Sequence, residues 1–347
     1  MKKTGVKASG EERYDRQRMR EHLEGFPEQC RKAWGLSVPL PRKRAFSGVC
    51  FCGMGGSAVG GDIAQALVSE RAGIPFIVHR DYGVPSWVGK QTLVIVESYS
   101  GNTEEALSAF EQATSRGAQV WVVTSGGVLL ESARNAGVPV VRIPGGMPPR
   151  CALGYLFFPV LRLLNALGIA EESADGQLFD AMTRTVSRLR RASAPTNRAV
   201  AIARTLAGRV PVIYSGGAVF PAAIRWKTQL AENSKSFALV NLLPEMNHNE
   251  IMAWRFPEEF IRRTVAVFFR SSREHPRVSF RIGITRAIVS RVQPQTMEIA
   301  ARGSSLLEEI MDLVILGDWV SFYLAIAHRS DPTEINEIAE LKRRLSR

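Results

Sequence analysis

Gly48-Val49-Cys50-Phe51-Cys52-Gly53-Met54-Gly55-Gly56-Ser57 compresses one structural unit into a short stretch: an apolar strand that stops in glycines and a serine. A helical pattern follows at once over residues 58–68. The same plan returns at Thr92-Leu93-Val94-Ile95-Val96-Glu97, which runs into Ser98-Tyr99-Ser100-Gly101-Asn102-Thr103 and a helical pattern over 104–115. A strand, a Gly/Ser loop and a helix together aim unpaired backbone N–H groups and hydroxyls at an anion. Two such loops at neighbouring strand ends can grip one phosphate from both sides. The pair therefore implies a phosphorylated ligand.

Working outward, apolar runs at 48–52, 75–78, 93–96, 120–124 and 139–143 alternate with helix-length amphipathic segments. That alternation predicts a parallel, doubly wound sheet with helices on both faces. Residues 11–34 read as a helical extension ended by Pro39 and Pro41. Pro144-Gly145-Gly146-Met147-Pro148-Pro149 is a turn-rich break. Helical patterns then cover 151–167 and 180–206, and a second round opens with a β run at 211–215 leading into Gly216-Gly217 and a helix over 222–233. Further strands are expected at 237–242, 264–269 and 293–297, with helices at 276–289, 304–328 and 332–345. The expected fold class is α/β: two doubly wound parallel-sheet domains, flavodoxin-like three-layer sandwiches, related by divergent duplication. The expected boundaries are a helical N-terminal extension at 1–45, a phosphate-binding domain at 46–155, a helical connection at 156–206 and a second domain with a degraded phosphate loop at 207–347.

With 347 residues, 45% hydrophobic and 22% charged, the chain has the composition of a soluble globular protein. No apolar run approaches the roughly 18 residues that cross a bilayer, and the charged N-terminus lacks the apolar core of a secretory signal. A cytoplasmic protein with no membrane partner is expected. The net charge of +12 raises the possibility of nucleic-acid binding. However, the basic clusters, such as Arg42-Lys43-Arg44 and Lys342-Arg343-Arg344, are short and dispersed and match no nucleic-acid motif. Cys50 and Cys52 share one strand face, and Cys30 and Cys151 are isolated; all four read as reduced structural residues. His22, His79, His248, His275 and His328 form no H-x-H or H-E-x-x-H pair, so no metal is expected.

Gly53-x-Gly55-x-x-Ala58 also fits a loose dinucleotide fingerprint. The acidic residue that fingerprint requires falls no nearer than Asp81, beyond Arg80, and the second serine loop is left unexplained. A P-loop fails because no Gly-Lys-Ser/Thr follows the glycines.

Three segments carry a specific resemblance: Gly53-Met54-Gly55-Gly56-Ser57-Ala58, Ser98-Tyr99-Ser100-Gly101-Asn102-Thr103-Glu104-Glu105 and Pro244-Glu245-Met246-Asn247-His248-Asn249-Glu250. From about residue 49 to the C-terminus the chain resembles the bifunctional phosphoglucose/phosphomannose isomerases of the sugar isomerase (SIS) superfamily. The serine loops alone mark the superfamily, and the Asn-His-Asn-Glu segment narrows it to the isomerases. The resemblance implies a metal-free and cofactor-free aldose–ketose isomerase interconverting glucose 6-phosphate, mannose 6-phosphate and fructose 6-phosphate through a cis-enediolate. It implies that Ser57, Ser98, Ser100 and Thr103, with the amides of Gly55 and Gly56, hold the phosphate. Glu232 then corresponds to the family's proton-shuttling carboxylate and Arg150 to the arginine beside the enediolate. His248 corresponds to the histidine of ring opening, contributed to the neighbouring subunit of a homodimer, and Lys342 to a lysine assisting that step.

Each assignment has a plain competitor. Ser57 and Thr103 suit helix N-caps, Glu232 and Lys342 suit solvated helix faces, and Arg150 suits an ordinary salt bridge. Thr333 lies near the region that would tune epimer choice. Two rivals stay open: a non-catalytic sugar-phosphate sensor built on the same serine loops, and an isomerase of another sugar phosphate.

Overall fold

A computed structural model describes residues 13–41, 45–69 and 72–345. The chain divides into two compact units, one comprising Gly25–Thr183 and Gly303–Ile310, the other comprising residues up to Glu24, Arg184–Arg302 and Met311 onward. Part of the N-terminal extension and the Arg42-Lys43-Arg44 cluster lie outside the described residues. The remainder of the extension is two short helices, α1 (Met19–Glu24) and α2 (Phe26–Trp34), assigned to different units.

The first unit carries β1 (Gly48–Gly53), α3 (Gly56–Val68), β2 (Phe76–His79), β3 (Thr92–Ser98), α4 (Glu104–Ser115), β4 (Gln119–Thr124), α5 (Gly127–Asn135), β5 (Val140–Arg142) and α6 (Leu153–Ala166). All five strands are parallel, in the order β2-β1-β3-β4-β5. Every residue of β1 and of β3 is buried, because helices cover both faces and leave no solvent side for polar alternation. Cys50, Cys52, Val94, Val96, Val120 and Val122 pack on one face against Ala106, Ala109 and Phe110 of α4 and Leu129 and Ala133 of α5. The four cysteines are free and buried.

The second unit repeats the plan on a smaller scale. α7 (Gly176–Leu189) begins in the first unit and ends in the second, followed by α8 (Arg198–Leu206), β6 (Val210–Ser215), α9 (Phe220–Ser234), β7 (Leu239–Leu242), α10 (Glu258–Arg262), β8 (Thr264–Arg270), α11 (Pro276–Val289) and β9 (Thr296–Ala300). α12 (Leu306–Ala327) has its first residues in the first unit and the rest in the second, which also holds α13 (Asn336–Leu345). Its four strands are again parallel, in the order β7-β6-β8-β9. The α/β class with two doubly wound parallel sheets is therefore as expected.

Three local expectations are corrected. The helix expected over 180–206 is two helices, since Asn197 caps α8 by accepting from Ala199 N and Val200 N while its amide donates to Leu189 O and Arg191 O. The last strand lies at Thr296–Ala300 rather than 293–297. Pro294 offers no donor there, and the Gln293 side chain is engaged with the Thr264 carbonyl. Finally, among the described residues one helix does reach membrane-spanning length and apolarity: α12 has 22 residues and a mean hydropathy of 1.7, but 89% of its most apolar window is buried within the fold. Glu308, Glu309, Asp312 and Asp318 interrupt the apolar run in the sequence. Asp318 is consumed by internal pairing with Arg225.

Candidate active site

In an open parallel sheet of order 2-1-3-4-5, ligands bind beyond the carboxyl ends of the strands, where the order reverses between strands 1 and 3. In the first unit that point lies between β1 and β3. The two serine loops are the segments that leave these two strands.

The first loop turns through Gly55 at φ +52°, ψ −124°, a backbone state costly for a residue with a Cβ. Ser57 N then donates to Met54 O at 3.1 Å and Ala58 N to Gly55 O at 3.1 Å, starting α3 with no side-chain cap. The start of α3 rests on a short 3-10 turn, Pro149–Cys151; a Cβ placed on Gly56 would lie 3.4 Å from Arg150 Cα. Arg150 is thereby brought beside the first loop, and its side chain is buried. Gln29 of α2 fixes that turn by donating to Cys151 O at 2.8 Å and accepting from Gly154 N at 2.8 Å.

The second loop is bonded from within. Ser98 Oγ donates to Thr103 Oγ1 at 2.9 Å, Gly101 N donates to Ser98 Oγ at 3.1 Å, and Asn102 N donates to Ser100 Oγ at 3.3 Å. Thr103 occupies the N-cap position of α4 but makes no side-chain cap bond, because its hydroxyl is turned to Ser98. The simple capping reading of Thr103 therefore does not describe it. A third segment, after β4, clamps this loop: Ser125 Oγ donates to Tyr99 O at 2.6 Å, Val128 N to Asn102 Oδ1 at 3.0 Å and Leu129 N to Gly101 O at 2.9 Å. Gly101 sits at φ +71°, where a Cβ would lie 1.8 Å from Gly126 O. Tyr99 extends the clamp by accepting from Met147 N at 3.1 Å. The sequence reading missed this clamp, although its signal, Ser125-Gly126-Gly127 between a strand and a helix, stands in the chain.

One residue before Ser98, Glu97 is wholly buried, and among the described residues neither carboxylate oxygen has a hydrogen-bond partner. Burial pushes its carboxyl well above the usual carboxylate range.

The remaining expected residues belong to the second unit, on three separate elements. Glu232 is half-buried in the last turns of α9. That helix is fixed to α12 by the buried Arg225–Asp318 pair, with Arg225 Nε to Asp318 Oδ1 at 3.0 Å and Gln229 Nε2 to the same oxygen at 2.9 Å. Asn233 Nδ2 adds a bond to Ser321 Oγ at 2.9 Å. The α9 terminus is closed by Lys235 in the left-handed conformation, whose ammonium donates to the carbonyls of Glu232 at 3.0 Å and Asp331 at 2.6 Å. Asp331 in turn accepts from Thr333 N at 2.8 Å.

His248 ends a 3-10 turn, Glu245–His248, and is exposed. The Asn-His-Asn-Glu segment is latched to the sheet through Glu250, which accepts from Tyr214 Oη at 2.6 Å and from the Asn241 amide. Trp254 Nε1 closes the latch on Tyr214 Oη at 3.1 Å. Burial first, then Glu250, pushes the Tyr214 hydroxyl up, so it stays protonated and donating. Asn247 Nδ2 holds the other side of the turn on Thr285 Oγ1 at 2.7 Å. Lys342 is exposed on α13. Among the described residues, no group of three His, Cys, Asp or Glu side chains is placed to hold a metal ion.

Residues 195–345 match the family model described as the bacterial phospho-glucose isomerase C-terminal SIS domain. The bifunctional phosphoglucose/phosphomannose isomerase of Caldicellulosiruptor bescii is 37% identical over 94% of this chain and 99% of its own length. The protein of the same description from Aquifex aeolicus is 36% identical over 87% of this chain and 91% of its own. A solved structure described as a glucose-6-phosphate isomerase like protein from Thermus thermophilus shares the fold, with a TM-score of 0.63 at 19% identity over 96% of this chain and 98% of that one. With paired serine loops at the first sheet's switch point and this identity along nearly the whole chain, the protein belongs to the bifunctional phosphoglucose/phosphomannose isomerase family.

Proposed function

We propose that the chain is an aldose–ketose isomerase that interconverts glucose 6-phosphate, mannose 6-phosphate and fructose 6-phosphate through a cis-enediolate. The observation that carries this reading is the pair of serine loops at the β1/β3 switch point, with the Arg150 turn packed against the first of them. Ser57, Ser98, Ser100 and Thr103, with the amides of Gly55 and Gly56, hold the phosphate dianion by neutral donors aimed from two strand ends. Close hydroxyl and amide donors suit a dianion because each bond to an ionised acceptor is stronger than its neutral counterpart.

The chemistry then needs only proton transfers. His248 takes the O1 proton of the cyclic sugar and returns one to the ring oxygen, opening the ring. Glu232 removes the C2 proton of the open aldose and delivers it to C1, while the O2 proton passes to O1, giving the ketose. The electron pair from the C2–H bond passes into the enediolate, and the Arg150 guanidinium stabilises the oxyanion that develops. Lys342 assists at the ring-opening step. Atoms and electrons balance within one sugar, so no external oxidant or cofactor enters. Glucose and mannose 6-phosphates differ only at C2 and share one enediolate; a turn about C2–C3 presents the other face.

A homodimer with His248 shared across the interface completes the reading. Its support is local: His248 is exposed, and Met252 and Phe256 just beyond it leave large apolar surfaces 66% and 76% exposed. Such side chains are characteristic of the core of a protein interface.

The deciding experiment incubates the protein with fructose 6-phosphate in excess chelator and assays glucose 6-phosphate and mannose 6-phosphate separately. Both products are expected. Glucose 6-phosphate alone removes the epimer claim, and neither product, with ligand still bound, overturns catalysis in favour of a sensor.

A further inference from the structure

A basic cavity lies in the second unit and is lined by none of the residues assigned above. It measures about 260 Å³, with walls of Thr185, Arg188, Leu189, Thr196, Arg198, Arg302, Asp312 and Leu316. Three guanidinium groups share the lining with one carboxyl. Asp312 is already committed: it accepts from Thr185 Oγ1 at 3.3 Å and from Arg302 N at 3.2 Å. Arg198 reaches only the Ala300 carbonyl, at 3.4 Å. Among the described residues, the side chains of Arg188 and Arg302 donate no hydrogen bond.

The charges do not balance. Burial first, and then repulsion from Arg302, makes Arg198 easier to deprotonate than a free arginine, with Asp312 offsetting only part of the effect. Burial likewise pushes Asp312 up, which weakens the one negative charge present. Like charges held together in a concave site are relieved by an anion, and planar guanidinium forks match phosphate oxygens in pairs.

We propose that this cavity is an anion site taking a small phosphate monoester, separate from the serine loops. Arg188, Arg198 and Arg302 bind the phosphate oxygens, and the Thr185 and Thr196 hydroxyls add neutral donors. Leu189 and Leu316 receive the short carbon chain. The volume lies just below the ~300 Å³ lower end of pockets that take drug-sized ligands, so the ligand is a phosphate group with few further atoms. The serine loops bind phosphate in a different unit, so the two sites are countable apart.

Equilibrium dialysis with radiolabelled inorganic phosphate tests this on the full chain. Two phosphates per chain are expected for the wild type, and one for the Arg188→Gln/Arg302→Gln variant. Both arginines are exposed, and the Arg302–Asp312 bond uses the backbone N–H, so this variant keeps the fold; an unchanged melting temperature without phosphate checks that. Each lost guanidinium weakens the site by about tenfold or more. Arg302→Lys keeps the charge without the fork and recovers part of the binding. Adding Ser98→Ala/Ser100→Ala to the arginine variant removes the last phosphate. If the arginine variant still binds two, or the wild type binds one that only the serine changes remove, the proposal is overturned. If the arginine changes remove a phosphate while the serine changes remove none, the cavity stands and the serine-loop assignment falls.

Discussion

The two sheets use the same device and treat it in opposite ways. In each, the first strand of the doubly wound order ends in glycines that lead into a helix, Gly55-Gly56 after β1 and Gly216-Gly217 after β6. The first loop runs into Ser57 and packs on the Arg150 turn. The second meets a carboxylate: a Cβ on Gly216 would lie 1.8 Å from Glu274 Oε2, and Glu274 comes from the loop after β8, across that sheet's own switch point. The first unit's Gly-Gly turn thus packs on backbone, and the second unit's on an acidic side chain. This fits the proposed division, in which the first unit binds the phosphate and the second supplies the acid–base groups.

That division of labour is broken most deeply at Glu232. Glu232→Gln keeps helix α9 but removes the proposed base, and kcat is expected to fall ~100- to 10,000-fold. The Kd for fructose 6-phosphate, measured by calorimetry, stays within a few-fold if the phosphate is held, as proposed, by the other unit. Parallel loss of binding and turnover would show that the two roles are not separated by unit.

The next largest effect is on the scaffold that carries Glu232. Asp318→Ala leaves the buried Arg225 guanidinium without its carboxylate partner, which costs about 3–5 kcal/mol. Denaturant unfolding reads the loss; a change below about 1 kcal/mol would remove this pair from the account of how α9 is held.

In the phosphate unit the sharpest test is one of pH. Glu97 has a raised folded-state value, so it costs nothing below the unfolded value near ~4.3. As pH rises above that, the unfolded chain loses a proton that the folded chain retains. Stability then falls by up to about 1.4 kcal/mol per pH unit until the folded group itself ionises. Glu97→Gln removes this component, so its stability relative to wild type should grow steadily from about pH 4 upward. A constant difference between the two proteins would place an ionised Glu97 in the fold.

The smallest effect is at the cradle itself. Ser98→Ala removes one of the proposed phosphate-holding hydroxyls and the bond to Thr103, and KM should rise about tenfold with kcat changed little, since the phosphate is bound equally in ground and transition states. A fall in kcat alone would assign Ser98 to the chemistry rather than to the anchor.

The parts legible in the sequence were those written in local pattern. Both serine loops, the strand alternation and the second Gly-Gly turn are contiguous, and the helices and strands fell close to their expected places. What escaped was set by partners far apart in the chain. The Ser125–Gly127 clamp acts on a loop more than twenty residues earlier, Gln29 holds a turn at Cys151, and Glu250 reaches back to Tyr214. No periodicity records such pairings. The strand at 296–300 was displaced for a similar reason, because Gln293, which reads as part of the run, spends its side chain on the Thr264 backbone. Asp318 of α12 finds its buried partner, Arg225, more than ninety residues earlier in the chain.

The seam between Gly101 and Gly126 has a consequence for how this cradle can change over generations. The gap of 1.8 Å between a would-be Cβ and Gly126 O is too small for any carbon, so alanine fails there as completely as tryptophan. Tolerance at Gly101 is a threshold rather than a slope. No sequence of single small steps leads away from glycine unless the Ser125–Gly127 segment moves first, and the two loops are therefore bound to vary together or not at all.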